Sequence, residues 1–151
     1  MVTLRQGINL ISLSLIIIVG IIANAVNLNG HTTGEIADSV PTWTTPAAYA
    51  FGIWSVIYAL LAAFVVYQAR PGQRDNQHIK QIGLWFLLSC AANLAWVILW
   101  HHQLFTLTVI AMVVLLLSLI SIYTQLNVGI RAVSSRDRWF VNVPFSFYLG
   151  W

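Results

Sequence analysis

Ser89, Asn93, Trp96 and Trp100 follow the i, i+4, i+7, i+11 spacing of one helix face within a single apolar stretch. In another stretch, Trp54 and Tyr58 lie one turn apart and also share a face. Indole and phenol rings beside one carboxamide can stack on a flat conjugated ligand and hydrogen bond to its edge. Hydrolytic or group-transfer chemistry needs more. The sequence shows no nucleophile paired with a base and no paired carboxylates. The single cysteine, Cys90, excludes an intrachain disulfide and a thiolate metal cluster. These residue types point to binding rather than catalysis.

The elements that position them are set by composition. Of 151 residues, 59% are apolar and 7% charged, against about a quarter charged in a soluble domain. A soluble enzyme, a nucleic-acid-binding domain and a disordered tail are excluded. A helix needs about 20 mostly apolar residues to cross the hydrocarbon core. Stretches 8–26, 47–68, 81–100 and 104–125 meet that need without a charged side chain. A fifth, 139–151, rises only about 18 Å against a core of about 30 Å. It is expected to be a fifth span cut short, with a re-entrant piece as the alternative. Arg5, the apolar run and Ala23-Asn24-Ala25 also fit a secretory signal, but a retained first span is the expected reading. The expectation is one all-α integral membrane domain over residues 1–151.

Arg5, Arg70, Arg74, Lys80, Arg131, Arg136 and Arg138 are the basic residues. They fall before the first span, between the second and third, and between the fourth and fifth. The connections 27–46 and 101–103 carry none. This alternation predicts a multi-pass cell-membrane protein with a cytoplasmic N-terminus and both basic loops cytoplasmic. The net charge of +3 is then a membrane-rim effect. The partner it implies is the lipid bilayer and not nucleic acid.

With that orientation, Trp54 lies about 10 Å below the outer edge, Trp96 about 6 Å and Asn93 about 10 Å, while Trp151 falls near the bilayer middle. Trp139, Tyr67, Tyr49, Trp100 and Trp85 suit the interfacial aromatic belt, and His101-His102 a polar turn at headgroup level. A buried Asn93 amide needs partners. It serves either a helix-packing hydrogen bond or a ligand. Asn9, Asn24 and Asn27 near the ends of the first span, the small-residue stripe Ser55, Ala59 and Ala63, and the face Ser118, Ser121 and Gln125 are expected to pack helices. In PTWTTP, Pro41 and Pro46 hold Trp43 in an extended approach to the second span, with Thr44 or Thr45 as helix cap. The outer loop around it is either a simple helix start or a lid over a pocket mouth.

Four motifs together resemble the translocator protein family, the tryptophan-rich sensory proteins (TspO). PTWTTP resembles the family's P-x-W-T-P-P and is followed by FGIWSVIY; Asn93-Leu94-Ala95-Trp96 resembles its N-x-x-W; FYLGW resembles its P-Y-L-x-W. The resemblance covers about residues 38–151. It implies a TspO-like bundle of five helices, commonly a homodimer, with a cavity closed by the first outer loop. The implied ligand is a porphyrin or haem-type tetrapyrrole, bound without any required cofactor. By matching position, the implied ligand-binding residues are Trp43, Trp54, Tyr58, Asn93, Trp96, Tyr148 and Trp151. No catalytic or metal-binding residue is implied. The loop motif's paired proline is single here, Pro46 after Thr45, and Pro144 sits about one turn early. Sensing or transport is the expected role. Light- and oxygen-dependent porphyrin breakdown, or a scaffold without a ligand, are the alternatives. His31, His101 or His102 at the outer mouth could ligate iron or hold a propionate, although adjacent helical histidines point about 100° apart and chelate poorly. Spans without ionisable carboxylates or cations argue against proton coupling.

Overall fold

Thr3 opens the first helix. Its hydroxyl accepts from the Gln6 amide while the Gln6 side chain accepts from Thr3 N–H at 2.8 Å. Helix α1, Leu4–Ala25, follows and stops at Asn27, whose φ of 52° lies in the left-handed region that Asn tolerates best after Gly. The computed structural model describes residues 3–40 and 47–151. Trp43, the expected cap at Thr44 or Thr45, and Pro46 lie outside them.

The outer connection contains helix α2, Thr33–Ser39. Thr32 and Glu35 form a second capping box: the Glu35 carboxylate accepts the Thr32 N–H at 2.7 Å. That hydrogen bond holds the Glu35 carboxyl below its ordinary pKa. A 3₁₀ turn, Ala48–Gly52, leads into α3, Ile53–Gln68.

The short helix α4, Gln77–Gln81, is capped by Asn76. Gly83, at φ 57°, separates it from α5, Trp85–His101. The third span therefore starts at Trp85 and not at Gln81, because the chain turns through a conformation that ends a right-handed helix. Helix α6, Phe105–Gln125, matches the fourth apolar run and ends at Asn127, φ 48°.

The last segment runs through α7, Ser135–Asp137, a π turn at Arg138–Asn142 and α8, Val143–Gly150. Pro144 explains the π turn. It has no N–H to donate to Phe140, and its ring crowds that carbonyl. The wider turn, with Val143 N–H reaching Arg138 O, accommodates it.

The long helices close a ring in the order α1, α3, α8, α6, α5 and back to α1. Leu4–Ala25, Tyr49–Gln68 and Phe105–Gln125 are long and apolar enough to cross a membrane. Ile11 and Ile18 of α1 and Leu117 and Ile120 of α6 point outward. A bilayer imposes no penalty on that exposure, and the fold is an all-α membrane bundle.

Its two ends differ. At one, Arg5 donates to the Lys80 carbonyl and Arg131 to the Gln81 side chain, which gathers the basic residues of three segments. At the other, Asn29 donates to the His101 carbonyl at 3.0 Å. Phe64, Phe86 and Phe145 meet edge to face in the half nearer the basic end, with centroids 5.0–5.9 Å apart.

Tyr67, expected in the interfacial belt, is buried instead. It stacks on Phe140 and donates its hydroxyl to Asp137 at 3.0 Å. The α7 turn supplies the acceptor that makes burial of a phenol tolerable. Of the small stripe of α3, Ser55 and Ala59 are exposed within the chain and Ala63 is partly covered. Asn9 does pack, donating to Gln68 at 3.0 Å inside the bundle.

A tryptophan-walled candidate ligand site

One turn of α3 carries Trp54 above Tyr58, and their rings lie 5.6 Å apart. The facing turn of α5 carries Asn93, Trp96 and Trp100. Because α3 and α5 both pack on α1, their indoles meet: Trp54 stacks on Trp96 at 5.6 Å and 25°, and Trp96 on Trp100 at 5.7 Å and 25°. Tyr148 of α8 presents its edge to Trp54 at 6.0 Å. Asn93 is fully buried and donates to the Tyr148 hydroxyl. Its Oδ1 has no partner among the described residues. Such an orphan costs stability.

The Trp54–Trp96 pair is a shared wall between two cavities. The first, about 390 Å³, lies among α1, α2, α3 and α5 and is also lined by Ile17, Asn24, Thr33 and Tyr58. The second, about 480 Å³, lies among α5, α6 and α8, with Trp100, Met112, Leu116, Tyr148 and Trp151 on its walls. Both volumes fall in the usual range for small-molecule sites. Neither described lining contains Asp, Glu, Lys, Arg, His or Cys, and Met112 is its one soft donor.

Of the residues singled out in the sequence, the structure brings Trp54, Tyr58, Asn93, Trp96 and Tyr148 together. Trp151 stands half exposed on the second cavity's wall. Trp43 lies outside the described residues. Trp100, expected in the belt, instead continues the ring stack and donates Nε1–H to the Thr33 carbonyl at 3.2 Å. His101, unlike the neighbouring His102, is not exposed at the turn. It is buried in the last turn of α5, with Nδ1 on the Val97 carbonyl at 2.8 Å and Nε2 without a partner among the described residues. His31 and His102 are exposed, and no group of three or more His, Cys, Asp or Glu gathers among the described residues.

Sequence reasoning missed Asn24 and Thr33. Asn24 accepts the Thr33 N–H at 3.2 Å, so the end of α1 and the start of α2 together close the first cavity at the end away from the basic residues. Two signals were present. Ile17, Gly20, Ile21 and Asn24 keep one helix face, and Thr32-x-x-Glu35 is a capping box.

Fold and site define an integral membrane helical bundle built around stacked indoles. The chain matches the family model described as TSPO-like protein over residues 6–151, and it belongs to that family. No curated protein and no solved structure matches it.

Proposed function

We propose that this membrane protein binds a flat, amphipathic aromatic ligand of the porphyrin or haem type at the Trp54–Trp96 wall. The observation that carries the reading is that stacked pair, shared as a wall by two cavities. Indole faces supply dispersion to a conjugated ring. Asn24 with Thr33 gives the first cavity a polar end for a ligand's polar edge, and Asn93, behind the walls, holds the Tyr148 ring that lines the second cavity. With no histidine or cysteine on the described walls, a haem would be held by its ring faces, with Met112 as the soft donor.

The role fits sensing or transport, in a cell membrane with the basic end cytoplasmic. The exposed Ser55–Ala59 stripe of α3 is the surface we assign to homodimer contact. The contiguous stack Trp54, Trp96 and Trp100 also favours a second reading, light- and oxygen-dependent porphyrin breakdown with an indole as electron donor. Illumination of the porphyrin-loaded protein would then yield an absorbing product that is absent in the dark.

Protoporphyrin IX is expected to quench tryptophan fluorescence saturably. Trp54→Phe and Trp96→Phe should each weaken its affinity about threefold, the value of part of one stacking contact. Unchanged affinity in both variants would reject the site.

A further inference from the structure

We propose that the basic end of the bundle holds a second ligand site, a pocket for a phosphate-bearing anion: the headgroup of an anionic lipid, or free phosphate. A cavity of about 470 Å³ opens between the chain that follows α6 and the π turn before α8, with Gly129, Arg131, Arg138, Asn142 and Ser146 on its wall. It lies at the opposite end of the bundle from the tryptophan wall and shares no lining residue with it.

Among the described residues no carboxylate forms an ion pair with its two arginines, and the chain has four acidic residues. Glu35 and Asp38 belong to α2 at the other end. Asp75 pairs with Lys80 at 3.0 Å. Asp137 accepts from Tyr67, Asn76 and Ser134. Arg131 donates to the Gln81 side chain, which fixes the guanidinium without neutralising it.

Asn142 adds a neutral donor. It is nearly buried, and its Oδ1 is taken by His78 Nε2 at 2.8 Å, which leaves the amide N–H groups for the pocket. Two guanidinium forks and an amide suit the oxygens of a phosphate. On either side of the arginines, Ile130 and Trp139 are 85% and 66% exposed. Apolar side chains placed so beside charge belong at a membrane interface, where basic pockets between helices hold lipid headgroups.

The test is native mass spectrometry of the full chain in detergent, incubated with equal amounts of dioleoyl phosphatidylglycerol and dioleoyl phosphatidylcholine. Phosphatidylglycerol should be retained preferentially. Arg131→Gln and Arg138→Gln should each reduce that preference about fivefold, the effect of one interfacial cation. The double lysine variant keeps the charge but not the fork, guards against a folding defect, and should retain more of the preference than the double glutamine variant. Arg74→Gln with Arg136→Gln removes as much charge from the same end outside the pocket and should leave the preference intact. In a second arm, the unfolding midpoint is compared in inorganic phosphate and in chloride at equal ionic strength. A phosphate-specific rise that is lost in the Arg131→Gln, Arg138→Gln variant, without lipid preference, assigns the site to free phosphate. Absence of both effects, or equal losses in the two pairs of glutamine variants, would overturn the proposal.

Discussion

Phe64→Ala will destabilise the bundle by about 3–5 kcal/mol, the cost of deleting a fully enclosed ring whose neighbours cannot collapse into the space. Phe64 is fully buried and sets its edge against Phe86 at 5.3 Å and Phe145 at 5.0 Å. It thereby joins α3, α5 and α8 in one contact. In a bilayer, helices gain little from hiding apolar surface, so dispersion between closely packed rings carries more of the association. Leu117, equally apolar but exposed on α6, is the control. Leu117→Ala should change stability by no more than about 0.5 kcal/mol. Unfolding midpoints of the two variants in the same detergent decide the matter, and similar losses would mean that the phenylalanine cluster is not the structural centre.

Asn93→Leu is expected to move stability and binding in opposite directions. The native amide satisfies Tyr148 but leaves its own oxygen, fully buried, without a partner among the described residues. Leucine removes that orphan while freeing the Tyr148 hydroxyl, and the two changes offset, so the unfolding midpoint should hold or rise slightly. Protoporphyrin IX affinity should fall about tenfold, because Tyr148 on the second cavity's wall loses the amide that fixes its ring in place. A packing role for Asn93 predicts the reverse pattern, lower stability with unchanged affinity. Thermal unfolding and fluorescence titration of one preparation separate the two.

Much of this arrangement is legible before any coordinates. The spans follow from apolar length, and the shared face of Asn93, Trp96 and Trp100 follows from helical spacing, since neither depends on what lies opposite. The grouping of basic residues at one end is likewise a property of loop composition. What lies opposite is the part that spacing cannot give. That Trp54 stacks on Trp96 and divides the interior into two cavities depends on α3 and α5 both packing on α1.

Local exceptions hid other features. Gly83 ends a run that reads as continuous helix, because hydropathy does not register a positive φ. Tyr67 and Trp100 look like belt residues by depth alone, yet each has a specific acceptor, Asp137 and the Thr33 carbonyl, supplied by a short helix distant in sequence. The capping boxes at Thr3 and Thr32 were the readable local signals for α1 and α2 that apolar periodicity passes over.

The most direct test of the tryptophan wall removes equal numbers of indoles from two places. Protoporphyrin IX is titrated against Trp54→Phe with Trp96→Phe, and against Trp85→Phe with Trp139→Phe, whose indoles are exposed on the outside of the bundle. The wall variant should bind about tenfold more weakly, while the outer variant should bind like the parent. Equal losses, or a loss confined to the outer pair, would contradict a ligand site between the stacked rings.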